Sequence, residues 1–179
     1  MKEKSKKCIF DTNIFLLGFQ INLIEGEIYT TPSVIEEIKV KRYSDKNRTI
    51  ISRIKAAIET KKLIIKIPTE IYIAKVKLNS KNTGDFKALS EADFELIALA
   101  LELKDKYKQE IILYTNDYSM ENLCMELNIP FSPLGKNGID SKIIWEIYCP
   151  FCQNIFQAED FKSYCERCGQ KLKRRKKKV

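Results

Sequence analysis

Histidine is absent from this chain of 179 residues, and tryptophan occurs once. The absence of histidine excludes chemistry that needs an imidazole base. Carboxylate clusters that hold hard divalent cations remain available, because such ions take oxygen ligands. The acidic side chains are therefore the first place to look for a catalytic site.

Long apolar runs are also missing. The charged segment 1–7 is followed by an apolar stretch that covers only 8–10 before Asp11 interrupts it, which is too short for a secretory signal. No apolar run approaches the roughly 18 residues that a membrane-spanning helix needs. We therefore expect a soluble, cytoplasmic protein that makes no membrane contact.

Basic residues are concentrated at one end of the chain. The formal net charge is +8, and seven basic residues lie between positions 171 and 178, so nearly all of the excess charge belongs to this segment. A run of like charges repels itself, and we expect residues 173–179 to form a disordered basic tail. Such a tail attracts polyphosphate without adopting one structure, although a nuclear address signal is an alternative interpretation.

Six cysteines are present, and four of them form two C-x2-C pairs. The pairs are Cys149 with Cys152 and Cys165 with Cys168, separated by a spacer of 12 residues. This spacing predicts one closed tetrahedral Zn²⁺ site with a structural role, because four thiolates leave no open position for a reactive water. Cys8 and Cys124 lie in apolar segments and are expected in the core.

Short apolar strands alternate with helical patterns over most of the chain. Strands are predicted at about 8–10, 28–30, 63–67, 111–115 and 129–131, and helices from 32 and at about 48–61, 69–78, 90–106 and 119–127, with a polar loop at about 79–89. This alternation predicts an α/β fold with a mainly parallel central sheet flanked by helices. We expect this domain to cover 1–134, followed by a linker over 135–142, a zinc ribbon over 143–172 and the tail over 173–179.

Two acidic residues are predicted at one edge of the sheet. Asp11 directly follows the first strand, and Asp117 follows the strand near 111–115 with only Asn116 between them. Ligands bind at the carboxyl ends of strands in open α/β sheets. The alternative is that each aspartate only caps the helix that follows it.

Helical periodicity directs two further carboxylates inward. Asp93 occupies the capping-box position after Ser90, yet it points away from the polar stripe of its helix and towards the side of Ile97. In the helix that Thr31 is predicted to cap, Glu37 borders the buried stripe, whereas Glu36 faces solvent. Four converging carboxylates repel one another, and a divalent cation removes that penalty while it activates water against a phosphodiester.

These segments resemble the successive acidic motifs of PIN-domain nucleases. The matching segments are 11–13, 31–38, 89–93 and 114–117. Together with the four-cysteine ribbon and the basic tail, they are similar to the archaeal Nob-type (Nob-one) family of ribosome-assembly endonucleases. The resemblance implies a PIN-like domain that cleaves single-stranded RNA at the 3′ end of the small-subunit (16S) rRNA precursor with one or two Mn²⁺ or Mg²⁺ ions. It carries the metal-site role onto Asp11, Glu37, Asp93 and Asp117, with Asn13 and Thr115 as supporting polar groups.

One departure from the family pattern concerns the second metal ion. Many PIN domains have another acid shortly after the last motif, where this chain has Tyr118 and Ser119. The basic residues expected to contact RNA lie in the ribbon and the tail: Lys162, Arg167, Lys173, Arg174, Arg175, Lys176, Lys177 and Lys178.

Expected partners are the precursor RNA in its ribosomal particle and assembly-factor proteins. Two alternatives stay open, a non-catalytic RNA-binding assembly factor and a toxin-like PIN nuclease that acts on tRNA.

Overall fold

The computed structural model describes residues 6–18, 21–39, 44–107, 111–156 and 163–177. The predicted RNA contacts Lys162 and Lys178 lie outside these residues. No helix within the described ranges has both the length and the apolar character of a membrane span.

A five-stranded parallel sheet forms the centre of the larger part. Its strands are β1 (Lys7–Phe10), β2 (Glu27–Thr30), β3 (Leu63–Ile65), β4 (Ile111–Tyr114) and β5 (Phe131–Ser132). They are arranged in the order β3-β2-β1-β4-β5, and every pair is parallel. All four residues of β1 are buried, as expected for a central strand covered on both faces. The predicted fold class is confirmed.

In the ranges that the structure describes, six α-helices cover this sheet or extend from it. They are α1 (Thr12–Leu16), α2 (Pro32–Lys39), α3 (Ser44–Glu59), α4 (Glu70–Thr83), α5 (Glu91–Tyr107) and α6 (Tyr118–Glu126). Helix α5 is buried almost all round, including the run from Leu96 to Leu101, because it packs between the sheet and other helices. Asp93 lies in the first turn of this largely buried helix.

One local prediction was wrong, and one short helix was not predicted. Helix α4 continues to Thr83, through part of the segment predicted as a polar loop, and ends at Gly84, whose φ of 80° is the left-handed conformation that glycine adopts at a helix end. Helix α1 was not predicted, because five residues are too few to show a helical period. It begins where the Asp11 carboxylate accepts a hydrogen bond from the Thr12 backbone N–H.

The cysteine-rich end forms a separate three-stranded sheet. Its strands are β6 (Trp145–Tyr148), β7 (Ile155–Phe156) and β8 (Lys173–Lys176), in the antiparallel order β7-β6-β8. Each C-x2-C pair lies in a tight turn, called a knuckle here. The first knuckle turns at Gln153 and the second at Gly169, and both residues have positive φ. In each knuckle, the backbone N–H of the turn residue bonds the carbonyl of the first cysteine.

Strand β8 corrects the expectation of a disordered basic tail at positions 173–176. The four residues pair with β6 from Trp145 opposite Lys176 to Tyr148 opposite Lys173. Strand β6 offers an unpaired edge, and backbone groups on both strands gain partners when the edge is filled. The guanidinium of Arg174 also lies 4.6 Å from the Trp145 ring and that of Arg175 lies 4.5 Å from the Tyr148 ring. These cation–π contacts and the ladder offset the mutual repulsion of the basic residues.

Candidate active site

Strand β1 lies at the point where the strand order reverses. Strands β2 and β3 extend the sheet on one side of β1, and β4 and β5 extend it on the other. Such a reversal leaves a crevice at the carboxyl ends of the strands, where ligands bind in this class of sheet. Asp11 follows β1 and Asp117 closely follows β4, so both lie at this edge, and the Asp11 backbone N–H bonds the Tyr114 carbonyl at 3.2 Å.

Asp11 is the most enclosed of the four predicted carboxylates, with 4% of its surface exposed. Its Oδ1 accepts the Thr12 backbone N–H at 2.6 Å, and its Oδ2 accepts the Thr115 hydroxyl at 2.9 Å. Burial raises the pKa of Asp11 to about 6; the bonds from Thr115 and Thr12 oppose this rise, whereas the charges of Asp93 and Glu37 add to it. A cation in this position would stabilise the charged form.

Glu37 is exposed on α2 and is oriented by a residue next to Asp11. Its Oε2 accepts the hydroxyl of Thr12 at 2.6 Å. The neighbouring Glu36 is also exposed and instead pairs with Lys39 at 2.7 Å. The two adjacent glutamates therefore have different surroundings, and only Glu37 is linked to the crevice.

Asp93 forms the capping box that its spacing predicted. Its Oδ2 accepts the Ser90 backbone N–H at 2.7 Å, and the Asp93 N–H donates to the Ser90 hydroxyl at 3.2 Å. The carboxylate is half-buried. Desolvation raises its pKa, the bonds from Ser90 lower it, and the charges of Asp117 and Glu37 raise it further. The capping role and the inward position thus occur together.

Asp117 caps α6 and is connected to Asp11 through one hydroxyl. Its Oδ1 accepts the backbone N–H groups of Ser119 at 2.6 Å and Met120 at 3.3 Å. The Asp117 N–H donates to the Thr115 Oγ1 at 3.1 Å, and the same hydroxyl donates to Asp11. Thr115 is fully buried, so this bridge lies in the interior of the protein.

Asn13 and Thr12 differ in how directly they support the site. The Asn13 amide is exposed and donates to Asp11 Oδ2 over a long 3.4 Å. Thr12 was not predicted, although it bonds Asp11 with its N–H and Glu37 with its hydroxyl. Only its place directly after Asp11 could have indicated this role, because the contact with α2 depends on the fold.

The structure brings the four carboxylates to one edge, in an open arrangement. Glu37 acts electrostatically on both Asp11 and Asp93, and Asp117 acts on Asp93. Among the described residues, only the four cysteines form a group of metal-ligating side chains whose ligand atoms all lie within 4.8 Å of one another. In the described part of the chain, no three of the four carboxylates are therefore gathered as closely as these thiols.

The four cysteines have the geometry of a closed metal site. Cys149 Sγ lies 3.4 Å from Cys168 Sγ, and Cys152 Sγ lies 3.5 Å from Cys165 Sγ. These separations are much longer than a disulfide bond. They approach the about 3.8 Å that separates thiolates in a tetrahedral zinc site with 2.3 Å bonds. Cys8 and Cys124 are buried in the core, as expected.

The predicted RNA-contacting residues have two kinds of environment. All six that the structure describes, Arg167 and residues 173–177, are exposed, but two of them also have acidic partners. Arg175 donates to Glu146 at 2.6 Å, and Arg174 donates to the buried Asp85 at 3.2 Å. Arg174 therefore faces the larger domain, which differs from the free cationic contact expected for it.

Comparison with known proteins identifies the family. A family model described as "PIN domain of ribonuclease" matches residues 8–103. The chain belongs to the PIN-domain ribonucleases. The expectations of a PIN-like nuclease fold and of an enzyme, an endoribonuclease, are confirmed, and members of this family depend on divalent metal.

Several known ribonucleases are similar to this protein over nearly the whole chain. Endoribonuclease Nob1 of Methanocaldococcus jannaschii is 35% identical over 93% of this chain and 76% of that protein. Endoribonuclease Nob1 of Pyrococcus abyssi is 32% identical over 93% of this chain and 92% of its own length. Ribonuclease VapC1 of Thermoplasma acidophilum is 30% identical over 93% of this chain and 76% of that protein. These relatives indicate that RNA is the substrate class.

Proposed function

We propose that this protein is a Mn²⁺- or Mg²⁺-dependent endoribonuclease that matures the 3′ end of the small-subunit (16S) rRNA precursor. The observation that carries the proposal is the buried Asp11, whose pKa is raised by desolvation and by the charges of Asp93 and Glu37. The neighbouring carboxylates repel one another, and a bound divalent cation would relieve this repulsion. Similarity to two Nob1 endoribonucleases over 93% of the chain supports the choice of substrate.

Each carboxylate is held by a donor that fixes its direction. Thr115 and the Thr12 N–H hold Asp11, the Thr12 hydroxyl holds Glu37, Ser90 holds Asp93, and the first turn of α6 holds Asp117. A bound Mn²⁺ or Mg²⁺ would supply charge stabilisation at the phosphate and a more acidic water. These hydrogen bonds give each carboxylate a defined direction before the cation and the RNA bind.

We also propose that Cys149, Cys152, Cys165 and Cys168 hold one structural Zn²⁺. Over residues 143–156 and 163–177, the buried side chains are Cys149 and Cys165 alone, so metal ligation would supply most of the folding free energy of the small sheet. The protein would act in the cytoplasm on RNA within the precursor particle of the small subunit. Its protein partners there would be assembly factors.

Cleavage of defined RNAs tests this proposal. We expect purified protein to cut an RNA that spans the mature 16S 3′ end when Mn²⁺ or Mg²⁺ is added, and Asp93→Asn to abolish cutting, because the amide still caps α5 but no longer supplies a charged ligand. Glu37→Gln should reduce cutting strongly. Two matched controls, Glu36→Gln and Glu91→Gln, remove exposed charges from the same helices and should leave cutting unchanged.

Three outcomes would change the assignment. Cutting that survives in Asp93→Asn protein would remove these carboxylates from the mechanism. Tight RNA binding without cutting under either metal would favour a non-catalytic assembly factor. Preferential cutting of tRNA over the rRNA precursor would favour the toxin-like alternative.

A further inference from the structure

The segment between the two sheets is bound to helix α6. The Asn116 side chain bonds the backbone of Leu134 in both directions, with both distances at 2.9 Å. The Asn122 side chain bonds the backbone of Ile143 in the same way, at 2.6 and 2.8 Å. Between them, Glu121 accepts the Ile139 N–H at 2.8 Å. The predicted linker is therefore attached to the helix whose N-terminal cap is Asp117.

A buried carboxylate of the larger domain faces the small sheet. Asp85 follows α4 and has a fully buried side chain. Its Oδ2 accepts the Asn122 amide at 2.6 Å, and its Oδ1 accepts Arg174 Nη1 at 3.2 Å. Asn122 is the same residue that binds Ile143, so Asp85, α6 and the start of the ribbon share one hydrogen-bond network. A buried carboxylate needs such partners. Replacement of Arg174 by an uncharged residue would leave the negative charge of Asp85 poorly compensated.

Arg174 links this network to the candidate active site. Its Nη2 donates to the Ser119 hydroxyl at 3.4 Å. The backbone N–H of Ser119 in turn donates to Asp117 Oδ1 at 2.6 Å. One guanidinium therefore contacts the buried Asp85 and the residue that holds a predicted metal ligand, while its plane lies 4.6 Å from the Trp145 ring.

The neighbouring arginine points the other way. Because side chains alternate along a strand, Arg174 and Arg175 project from opposite faces of β8. Arg175 bonds Glu146 at 2.6 Å and lies over Tyr148, both within the small sheet. Two adjacent residues of the same type and charge thus have separate tasks, one towards the larger domain and one on the outer face.

We propose that Arg174 is a positioning residue that locks the zinc ribbon onto α6 beside Asp117 and so aligns RNA held by the ribbon with the carboxylates. The proposal rests on the RNA-cleaving function proposed above. The planar fork of arginine is essential to it, because two nitrogens reach two different acceptors, whereas a lysine ammonium is a single point of charge. A residue that served only to attract phosphate would tolerate lysine.

Steady-state cleavage of the rRNA precursor fragment separates the two roles. We expect Arg174→Lys and Arg174→Ala to lower kcat roughly 10- to 100-fold with little change in KM, because the RNA binds but is misaligned. Arg175→Ala, the matched control, removes the same charge and should raise KM with kcat unchanged. Adding Asp85→Asn to Arg174→Ala should cause little further loss, because asparagine can still accept the Asn122 amide and the contact with Arg174 is already gone.

Fluorescence of Trp145 reports docking without any catalytic step. It is the only tryptophan in the chain, and the Arg174 guanidinium lies on it. We expect Arg174→Lys to shift the emission to longer wavelength and to increase quenching by acrylamide, with zinc content unchanged. Arg175→Ala should leave the emission as in the unsubstituted protein.

The outcomes distinguish failure of this proposal from failure of the proposed function. Unchanged kcat and emission in Arg174→Lys protein would overturn the positioning role, as would altered emission with unchanged kcat, since docking would then be irrelevant to cleavage. If the unsubstituted protein cuts no RNA, the proposed function fails, and alignment for cleavage fails with it. The emission experiment would still decide whether Arg174 docks the ribbon.

Discussion

Replacement of Asp11 by asparagine should make the protein inactive and, without added divalent metal, more stable. Asp11 is almost fully buried, and desolvation is the largest cause of its raised pKa of about 6. Asparagine has nearly the same shape and can still accept the Thr12 N–H or the Thr115 hydroxyl. It carries no charge, so the penalty of an ionised group in this position disappears.

The size of the effect follows from the difference between the two pKa values. In the unfolded chain the ordinary pKa is 3.8, and in the folded protein it is about 6. This difference corresponds to a penalty of about 3 kcal/mol for the folded protein at neutral pH. Because folded Asp11 binds more protons than unfolded Asp11 between these pKa values, its contribution lowers the free energy of unfolding as pH rises from about 4 to about 6 and is then constant.

Thermal unfolding measured across this pH range is the appropriate assay. Without added divalent metal and without chelator, which would strip zinc, Asp11→Asn should raise Tm by several degrees at neutral pH, at about 2–4 °C per kcal/mol. Added Mn²⁺ should then stabilise the unsubstituted protein and leave Asp11→Asn unaffected, since ligand binding to the folded state alone raises stability. Asp140→Asn, which removes an exposed carboxylate, is the control and should change neither curve.

Two results would refute this reasoning. One is an Asp11→Asn protein that is less stable than the unsubstituted protein at neutral pH without added metal. The other is an unchanged fall in stability between about pH 4 and 6 after the substitution, because that fall would then belong to other groups.

Three further predictions concern other parts of the molecule. Thr12→Val should raise the Mn²⁺ concentration needed for half-maximal cleavage several-fold, by about 1 kcal/mol for a lost hydrogen bond, and Thr12→Ser should restore it; equal titrations would contradict the role of this hydroxyl. Cys168→Ser should abolish stoichiometric zinc, measured by elemental analysis, while the far-UV circular dichroism of the helices persists; retained zinc would refute the four-thiolate site. Lys173→Ala should lower the slope of log affinity for single-stranded RNA against log salt by about 0.7 if it contacts one phosphate, and an unchanged slope would exclude that contact.

Much of the fold and candidate site could be predicted because the signals are local. The ends of β1 and β4 are marked by apolar runs that stop at acidic residues, so Asp11 and Asp117 could be placed at one edge. The inward direction of Asp93 and the outward direction of Glu36 follow from helical periodicity alone. The cysteine spacing likewise reports a local geometry, two knuckles that each present a pair of thiolates.

The features that were missed depend on contacts between distant segments. Strand β8 consists of four basic residues with no apolar alternation, so nothing in its sequence indicates a strand; it forms because β6 provides an open edge. Arg174 and Asp85 are 89 positions apart, and such a pair leaves no local pattern. Thr12 makes its hydrogen bond to Glu37 because the fold places α2 next to the end of β1.

Strand β8 is an edge strand of its sheet, and this position affects which truncated or substituted variants stay free of aggregation. Its unpaired backbone groups would invite association with another chain, and a row of lysine and arginine is a common means of preventing this. Deletion of these residues would therefore uncover the flank of β6 with its aromatic side chains, and the shortened protein would become prone to aggregate. Replacement of single basic residues keeps the flank protected and is the better way to measure their contribution to RNA affinity.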